Sequence, residues 1–517
     1  MISKRYVVSS RSSQRPPLGL VLVVMGISVL MLIPLAYIAI RTSNVGMDRA
    51  VALLFRERTW SLLGNTMILA ILVSLISVSV GTCSALLLER YRIRGRQFFS
   101  LTITLPLCIP AFVSSFSWLS LSFRFSGLAG SVLVMSMVSI PLAYLPVAAV
   151  LRRIDISLEE VSFSLGRSRV FTFCHAVLPQ LRPALGSGFL LISLHLLVEF
   201  GAVSILNYPT FTTAIFQEYD MAFDNATAAL LSLVLAFICL VIVVGEFFIR
   251  GNEELSRRGR GVATQPVPRE LPGVLHILAV LFFLIQFGVG VIIPGAVVVY
   301  RTAMGSSLQT KFAFWELADS IGLTMGISLV GALVTLLVAA PLVWCSVRYR
   351  SLLTLWIDRL PFLLHALPGI VIALALTYFS IHYARPFYQT FVPVLLAYLM
   401  LFLPMAQTAL RASFLIIPKA VEDVGYSLGR SRAFVFRTLV VPAMLPGIAA
   451  AFSLVFLNMT KELTATLVLT PTTVPTVAVS VWELTQDGSY GAVGPYALAH
   501  ILFSGIPVFF VRKYAFH

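Results

Sequence analysis

The chain has 517 residues, 58% of them hydrophobic and only 11% charged. Soluble domains average about 25% charged residues, and the apolar excess here falls in long blocks, so the composition is that of a membrane protein. The formal charge of +15 lies in short basic clusters between those blocks, the pattern of cytoplasmic loops and not of a nucleic-acid surface.

A basic N-terminus (Lys4, Arg5, Arg11, Arg15) precedes an apolar block from Gly19 to Ile40. That block exceeds a secretory h-region of about 7–15 residues, so it is expected to be an uncleaved first span. Spans need about 20 apolar residues. Twelve are expected, near 19–40, 61–87, 98–122, 127–151, 183–205, 226–249, 273–300, 319–345, 354–380, 389–411, 446–470 and 491–511. Pro106, Pro110, Pro141, Pro146, Pro361, Pro368 and Pro404 fall inside them, which helices in bilayers tolerate when neighbours satisfy the freed backbone groups. The fold class is therefore an all-α polytopic membrane protein. The cysteines (Cys83, Cys108, Cys174, Cys239, Cys345) are scattered, form no CxxC, and read as packing residues.

If odd crossings lead outward, the inside segments carry 28 of the 37 Lys and Arg, and the outside loops 8. The positive-inside rule then puts both termini in the cytoplasm. The first outside loop runs against the trend, with Arg41, Arg49, Arg56 and Arg58.

Residues 250–272 have linker character and divide the chain into six-span halves, 1–249 and 273–517. The halves repeat: Gly64-Asn65-Thr66-Met67 returns as Gly322-Leu323-Thr324-Met325, and Leu145-Pro146 as Leu403-Pro404, both offset by 258. Six crossings separate the copies, so the repeats are parallel and a path is expected between them.

The clearest repeat is polar. EEVSFSLGRSRVFTFCHAVLPQLRP, residues 159–183, and EDVGYSLGRSRAFVFRTLVVPAMLP, residues 422–446, agree at 13 of 25 positions without a gap. Both lie on the expected cytoplasmic side, within the segments 157–182 and 418–445. Glu159, Glu160, Glu422 and Asp423 suit a helix N-terminus. Gly166 and Gly429 would admit a second backbone at close range. Arg167, Arg169, Arg430 and Arg432 follow, then Pro179 and Pro442, each thirteen residues after its glycine. A helix merely resting at the headgroups is the plainer alternative. Repetition favours a surface that docks a partner, with Phe163, Leu165, Phe171, Tyr426, Leu428 and Phe434 packing inward or filling that partner's groove.

The run Glu-x-Val-x-x-Ser-Leu-Gly, with its proline thirteen residues on, resembles the EAA loop of ABC importer permeases. Val161 and Val424 stand where that pattern commonly has Ala, followed by Ser162 or Gly425. The resemblance covers most of both halves, as in fused permeases with two such loops. It implies a coupling helix in each half that docks a cytoplasmic ATPase, two ATPase copies, an extracytoplasmic binding protein, and a bacterial inner-membrane location. It also implies no cofactor on this chain, with ATP and Mg on the partner. The chain has no Gly-Lys dipeptide, hence no Walker motif, and is read as a transport subunit and not an enzyme.

Charges inside spans are functional hypotheses by default. Glu199, in HLLVEFGAVSIL, and Glu462, in LNMTKELTATLVL, match at offset 263. Adjacent helix positions do not face one another, so Lys461 needs a partner on another helix. The acids either tie the halves together or meet cargo. His195 and His365 read as core residues. The outer loops 206–225 and 471–490 also correspond, Ile215-Phe216-Gln217-Glu218 resembling Val481-Trp482-Glu483. Their acids (Glu218, Asp220, Asp224, Glu483, Asp487) either follow topology or form a gate meeting cargo or a binding protein. Within fused permeases, EFGAVSILNYPTFTTAIFQEY and KELTATLVLTPTTVPTVAVSVWEL are most similar to the ferric-iron family. That implies ferric cargo with transient contacts at Glu199 and Glu462 and no tightly bound metal. Thiamine and polyamine permeases share the architecture.

A secondary carrier of major-facilitator type also has twelve spans in two parallel halves, but needs no repeated docking loop. A membrane-embedded enzyme would need a convergent nucleophile and base or a metal set, and the sequence has no HExxH or GxSxG.

Overall fold

The computed structural model describes residues 17–152, 154, 157–251, 269–304, 314–349, 352–364, 367–415, 419–471 and 475–515. Linker residues 252–268 and His365 lie outside them.

The first half runs α1 (Leu18–Met31), α2 (Ile33–Ser43), α3 (Met47–Leu54), α4 (Glu57–Arg90), α5 (Arg96–Thr104), α6 (Ala111–Leu121), α7 (Gly127–Leu151), α8 (Ser157–Ser164), α9 (Arg169–Thr172), α10 (Leu178–Val198), α11 (Gly201–Ile205), α12 (Phe211–Asp220) and α13 (Asn225–Gly251). The second runs α14 (Gly273–Phe287), α15 (Ile293–Met304), α16 (Phe314–Arg348), α17 (Leu352–Leu364), α18 (Gly369–Tyr383), α19 (Phe391–Leu415), α20 (Lys419–Ser427), α21 (Arg432–Val435), α22 (Val441–Thr460), α23 (Thr464–Leu469), α24 (Val477–Gln486) and α25 (Tyr490–Ala515). Among the described residues the only strand-like pairing is one isolated bridge, Tyr91 with Arg269.

Nine helical segments of the described residues are long and apolar enough to cross a bilayer, and two bent pairs bring the number to 11. With α25, each of the twelve expected segments is helical. Leu22, Leu75, Phe237 and Leu337 are more than half exposed on these helices, a cost in water and none against lipid.

Two expected spans are sharply bent, and those near 183–205 and 446–470 are interrupted at Glu199–Phe200 and Lys461–Leu463. The span near 98–122 bends by 91° between Cys108 and Ala111, and that near 354–380 by 104° between Leu364 and Gly369. Pro110 and Pro368, 258 positions apart, become N-cap residues of new helices. Each lacks an N–H and pushes the preceding residue out of the helical region; Ile109 is extended, at φ −92° and ψ 119°. Pro141, Pro146, Pro361 and Pro404 stay within helices, as expected.

The first helices are exchanged between halves. α1 and α2 pack on α16, α17 and α18 of the second half, while α14 packs on α5 of the first, stacking Phe283 on Phe99 at 5.0 Å. One core cluster accordingly joins Tyr37 and Ile38 to Ile370–Leu376.

At 34 and 35 residues, α4 and α16 are each about 50 Å long. That exceeds a hydrocarbon core of about 30 Å, so their ends, Arg90 and Arg348, reach the polar α8–α9 and α20–α21 segments.

Candidate functional site

The repeated SLGRSR motif builds a helix, a left-handed glycine, and a second helix. Gly166 N–H donates to Phe163 O at 2.9 Å and Arg167 N–H to Ser162 O at 3.1 Å; Gly429 and Arg430 donate to Tyr426 O at 3.0 Å and Gly425 O at 3.2 Å. This is a Schellman end, whose C′ residue needs positive φ. Gly166 sits at +72° and Gly429 at +73°, and a Cβ on either would meet nothing within 4 Å. Within this chain the glycines thus serve backbone conformation, and the space beside them is open. The next serine starts the second helix: Ser168 Oγ accepts from Phe171 N–H and Ser431 Oγ from Phe434 N–H, both at 3.3 Å.

Arg167 and Arg430 fold back onto the rings of Phe171 and Phe434, at 4.8 and 4.9 Å. Ser162 bonds Thr172, hydroxyl to hydroxyl at 2.8 Å. In the second copy Gly425 faces Val435, whose Cγ2 would lie 2.6 Å from any added Cβ. The substitution of Ser162 by Gly425 between copies is thus matched across the same helix–helix contact. Pro179 and Pro442 follow π-helical turns, Phe173–Val177 and Phe436–Val440. The side chains of Arg169 and Arg432 lie outside the described residues.

The first acid of each copy faces inward. Glu159 is buried and pairs with Arg90 at 2.8 Å. Glu422 is buried and pairs with Arg348. These acids fasten each segment to the end of a long helix, and only Glu160 and Asp423 are exposed. The sequence reading missed Arg90 and Arg348. Their signal was the 258-residue offset, which makes them equivalent. A second anchor surrounds the first: Glu89, nearly buried, takes Arg96 at 2.6 Å and Arg152 at 2.7 Å. In the second half Asp358 pairs with Arg411. What remains outward is apolar: Val161, Leu165, Val170, Val424 and Leu428 are all more than half exposed.

At mid-depth the charges sit at helix ends. Glu199 Oε1 accepts from Ala202 N–H and Glu462 Oε1 from Ala465 N–H, both at 2.9 Å. Their backbone carbonyls accept from Thr212 and Thr466 hydroxyls. Lys461 finds its partner in the other half: Nζ donates to the carbonyl of Leu107, at the end of the span broken before Pro110. Gly201 is closely approached there; a Cβ would lie 2.7 Å from Leu463. His195 is partly buried on α10. His500, not anticipated, is fully buried and edge-on to Phe112 at 5.3 Å.

The corresponding loops of the two halves meet through aromatic rings. Phe216 and Trp482 meet edge to face at 5.5 Å, with Phe200 at 5.0 Å from Phe216 and 6.0 Å from Trp482. Trp482 Nε1–H donates to Ser204 Oγ at 3.2 Å across the halves, joined by Gln486 at 3.4 Å. Glu218 pairs with Arg58 at 3.1 Å and Asp224 with Arg49 at 2.8 Å. That accounts for two of the arginines that ran against the charge rule. Asp224 also caps α13 through Ala226 and Thr227. Burial would raise its carboxyl, but the Thr227 bonds and Arg49 hold it below the usual range. Asp220 and Asp487 are outside this contact and exposed or nearly so. Glu483 is exposed as well, and partial desolvation, with Asp487 adding to it, pushes its carboxyl up.

Two stretches of one chain thus share one helical architecture, and both contain the same anchored polar segment. The sequence pattern of binding-protein-dependent transport system inner membrane components matches residues 77–250 and again 331–514. The chain belongs to this family. Both matches begin inside α4 or α16, so the exchanged first helices lie outside the shared unit. The family consists of permease subunits that work with a substrate-binding protein and an ATPase, so the secondary-carrier and embedded-enzyme alternatives are set aside. The permease is a multi-pass inner-membrane protein. It is 54% identical over 503 residues to the Fe(3+)-transport system permease protein FbpB 2 of Haemophilus influenzae, covering 97% of this chain and 99% of that one. It is 22% identical to the ferric transport system permease protein FbpB of Actinobacillus pleuropneumoniae, over 90% of this chain and 72% of that one. Similarity to the Escherichia coli sulfate transport system permease protein CysT is 28% and covers 46% of this chain and 91% of that one.

Proposed function

We propose that the permease imports ferric iron, received from an extracytoplasmic binding protein and driven by two ATPase copies, one per cytoplasmic segment. The carrying observation is the 54% identity along 97% of the chain to a relative named for Fe(3+) transport. The sulfate relative matches less than half of the chain.

In this reading each α8–α9 or α20–α21 pair is a coupling element. Its exposed face, Val161, Leu165 and Val170 or Val424 and Leu428, enters the ATPase, with Glu160 and Asp423 at the rim. Glu159–Arg90 and Glu422–Arg348 carry the displacement into α4 and α16. Gly166, Arg167, Arg169, Gly429, Arg430 and Arg432 shape the turn; Pro179 and Pro442 mark entry to the next span. The halves are 1–249 and 273–517, and both termini lie in the cytoplasm. ATP and Mg belong to the partner.

The path runs between the halves. Its outer door is Phe216, Trp482 and Phe200, with Asp220, Glu483 and Asp487 around the mouth where the binding protein sits. Beneath it Glu199 and Glu462 each use one oxygen as a cap and leave the other for passing cargo. A hard trivalent cation prefers such oxygen ligands, and held by two partly buried groups it is released again.

The test is uptake of radiolabelled ferric iron by cells lacking the gene, with and without restoration and ATP depletion. Restored, ATP-dependent uptake supports the reading. Unrestored iron uptake with the protein present, alongside restored thiamine or polyamine uptake, reassigns the cargo.

A further inference from the structure

The end of the inter-repeat linker lies on the first coupling element. Arg269 N–H donates to the Arg90 carbonyl at 3.0 Å, and Arg92 N–H to the Arg269 carbonyl at 2.8 Å. The Arg269 guanidinium rests over the Phe163 ring, 4.8 Å from its centre. Arg90 therefore holds two things at once: Glu159 of α8 with its side chain, the linker with its backbone. Glu159 and Phe163 are four residues apart, on one helix face, so α8 presents that face to both the α4 end and the linker. Glu270 adds only an exposed pair with Arg92 at 3.9 Å, of little weight.

Downstream the contact continues. Leu271 packs against the core that includes Leu88, Ile154 and Phe283. α14 starts at Gly273, and its Phe283 stacks on Phe99. α15 then packs on α6 and α25. A movement of α8 thus reaches the second repeat through its contact with Arg269 and the chain that follows.

We infer that residues 269–272 are a strut of the first coupling element, with Arg269 the positioning residue that passes displacement of α8 into the opposite repeat. This rests on the coupling reading above. Cation–π contacts at partly exposed sites are weak, so loss of the cation alone is expected to change coupling about two- to fivefold.

The experiment uses the complete transporter, permease with ATPase and binding protein, in proteoliposomes. It measures ATPase stimulation by iron-loaded binding protein and iron imported per ATP hydrolysed. Arg269→Gln keeps the backbone bridge and removes the cation; it is expected to lower iron per ATP about two- to fivefold with stimulation retained. Arg269→Lys restores the ratio, which a purely structural role for the arginine would not predict. Arg269→Pro also deletes the N–H and lowers the ratio further. Thermal unfolding of each variant separates this from misfolding. Leu165→Asp, on the exposed face of the coupling element, is the control. Wild-type ratios in Arg269→Gln and Arg269→Pro, with Leu165→Asp lacking stimulation, overturn the strut and leave the coupling reading standing. Normal stimulation in Leu165→Asp overturns the coupling reading and the strut with it.

Discussion

Phe216 and Trp482 occupy equivalent positions in the two repeats and meet each other, ring centres 5.5 Å apart. A pair of equivalent residues can touch only where the repeats' shared axis passes. These rings therefore mark the axis, and the indole bond to Ser204 joins one half to the other.

Replacing Trp482 by Ala removes both ring contacts and the indole bond. Such an aromatic pair contributes about 0.5–1.5 kcal/mol beyond area, so the closed fraction should fall about two- to twelvefold relative to open. Modification of a cysteine placed at Val198 by an impermeant thiol reagent from outside should accelerate correspondingly. Unchanged labelling would place the closure elsewhere.

Deleting one partner of Glu159–Arg90 strands a largely buried charge, at a cost of about 3 kcal/mol or more. Glu159→Ala and Glu422→Ala are expected to lower thermal stability and abolish ATPase stimulation. The exchange Arg90→Glu with Glu159→Arg should recover part of both. A swap no better than the single variants would mean that geometry, not pairing, is required.

Gly166 and Gly429 are governed by their positive φ. A side chain there costs about 1–2 kcal/mol, but Asn tolerates the conformation. The order expected in ATPase stimulation is Gly, then Asn, then Ala, with Val lowest. Equal loss in Asn and Val would mean that a partner's backbone needs the space.

Glu199→Gln with Glu462→Gln keeps both acceptor oxygens for Ala202 and Ala465 and removes the charge. Folding should be preserved and iron import reduced about tenfold, the loss of one interaction of about 1.4 kcal/mol. Full import would leave the acids as caps alone.

The pH prediction concerns Glu483, an exposed residue whose carboxyl is pushed up by partial desolvation and by neighbouring Asp487. A folded-state pKa above the unfolded value contributes stability that is complete below the unfolded pKa and lost as pH rises through the folded one. Glu483→Gln should therefore gain thermal stability over the parent near pH 7, and the gain should vanish near pH 4. A constant difference at both values would remove desolvation of the charge as its cause.

The spans were legible because about 20 apolar residues leave few alternatives to a crossing helix. The breaks before Pro110 and Pro368 were not, since Pro404 has the same chemistry and stays helical; neighbours decide. The segments 159–183 and 422–446 were legible as a repeat, but the pairing of Glu159 was not. Its partner Arg90 is 69 residues away, and only the fold brings that charge inside. In the loops 206–225 and 471–490 the acids stand out because charge is rare in an apolar chain. Arg49 and Arg58 pair with two of them, and the groups that meet across the halves are the rings of Phe216 and Trp482, present in the matched loops and unmarked by composition.

The most direct test of the account is ATP-dependent accumulation of radiolabelled ferric iron in proteoliposomes holding permease, ATPase and binding protein, compared with Leu165→Asp/Leu428→Asp. The account predicts accumulation that needs all three components and disappears in the double variant while the protein remains folded. Accumulation without ATP, or undiminished in that variant, would contradict it.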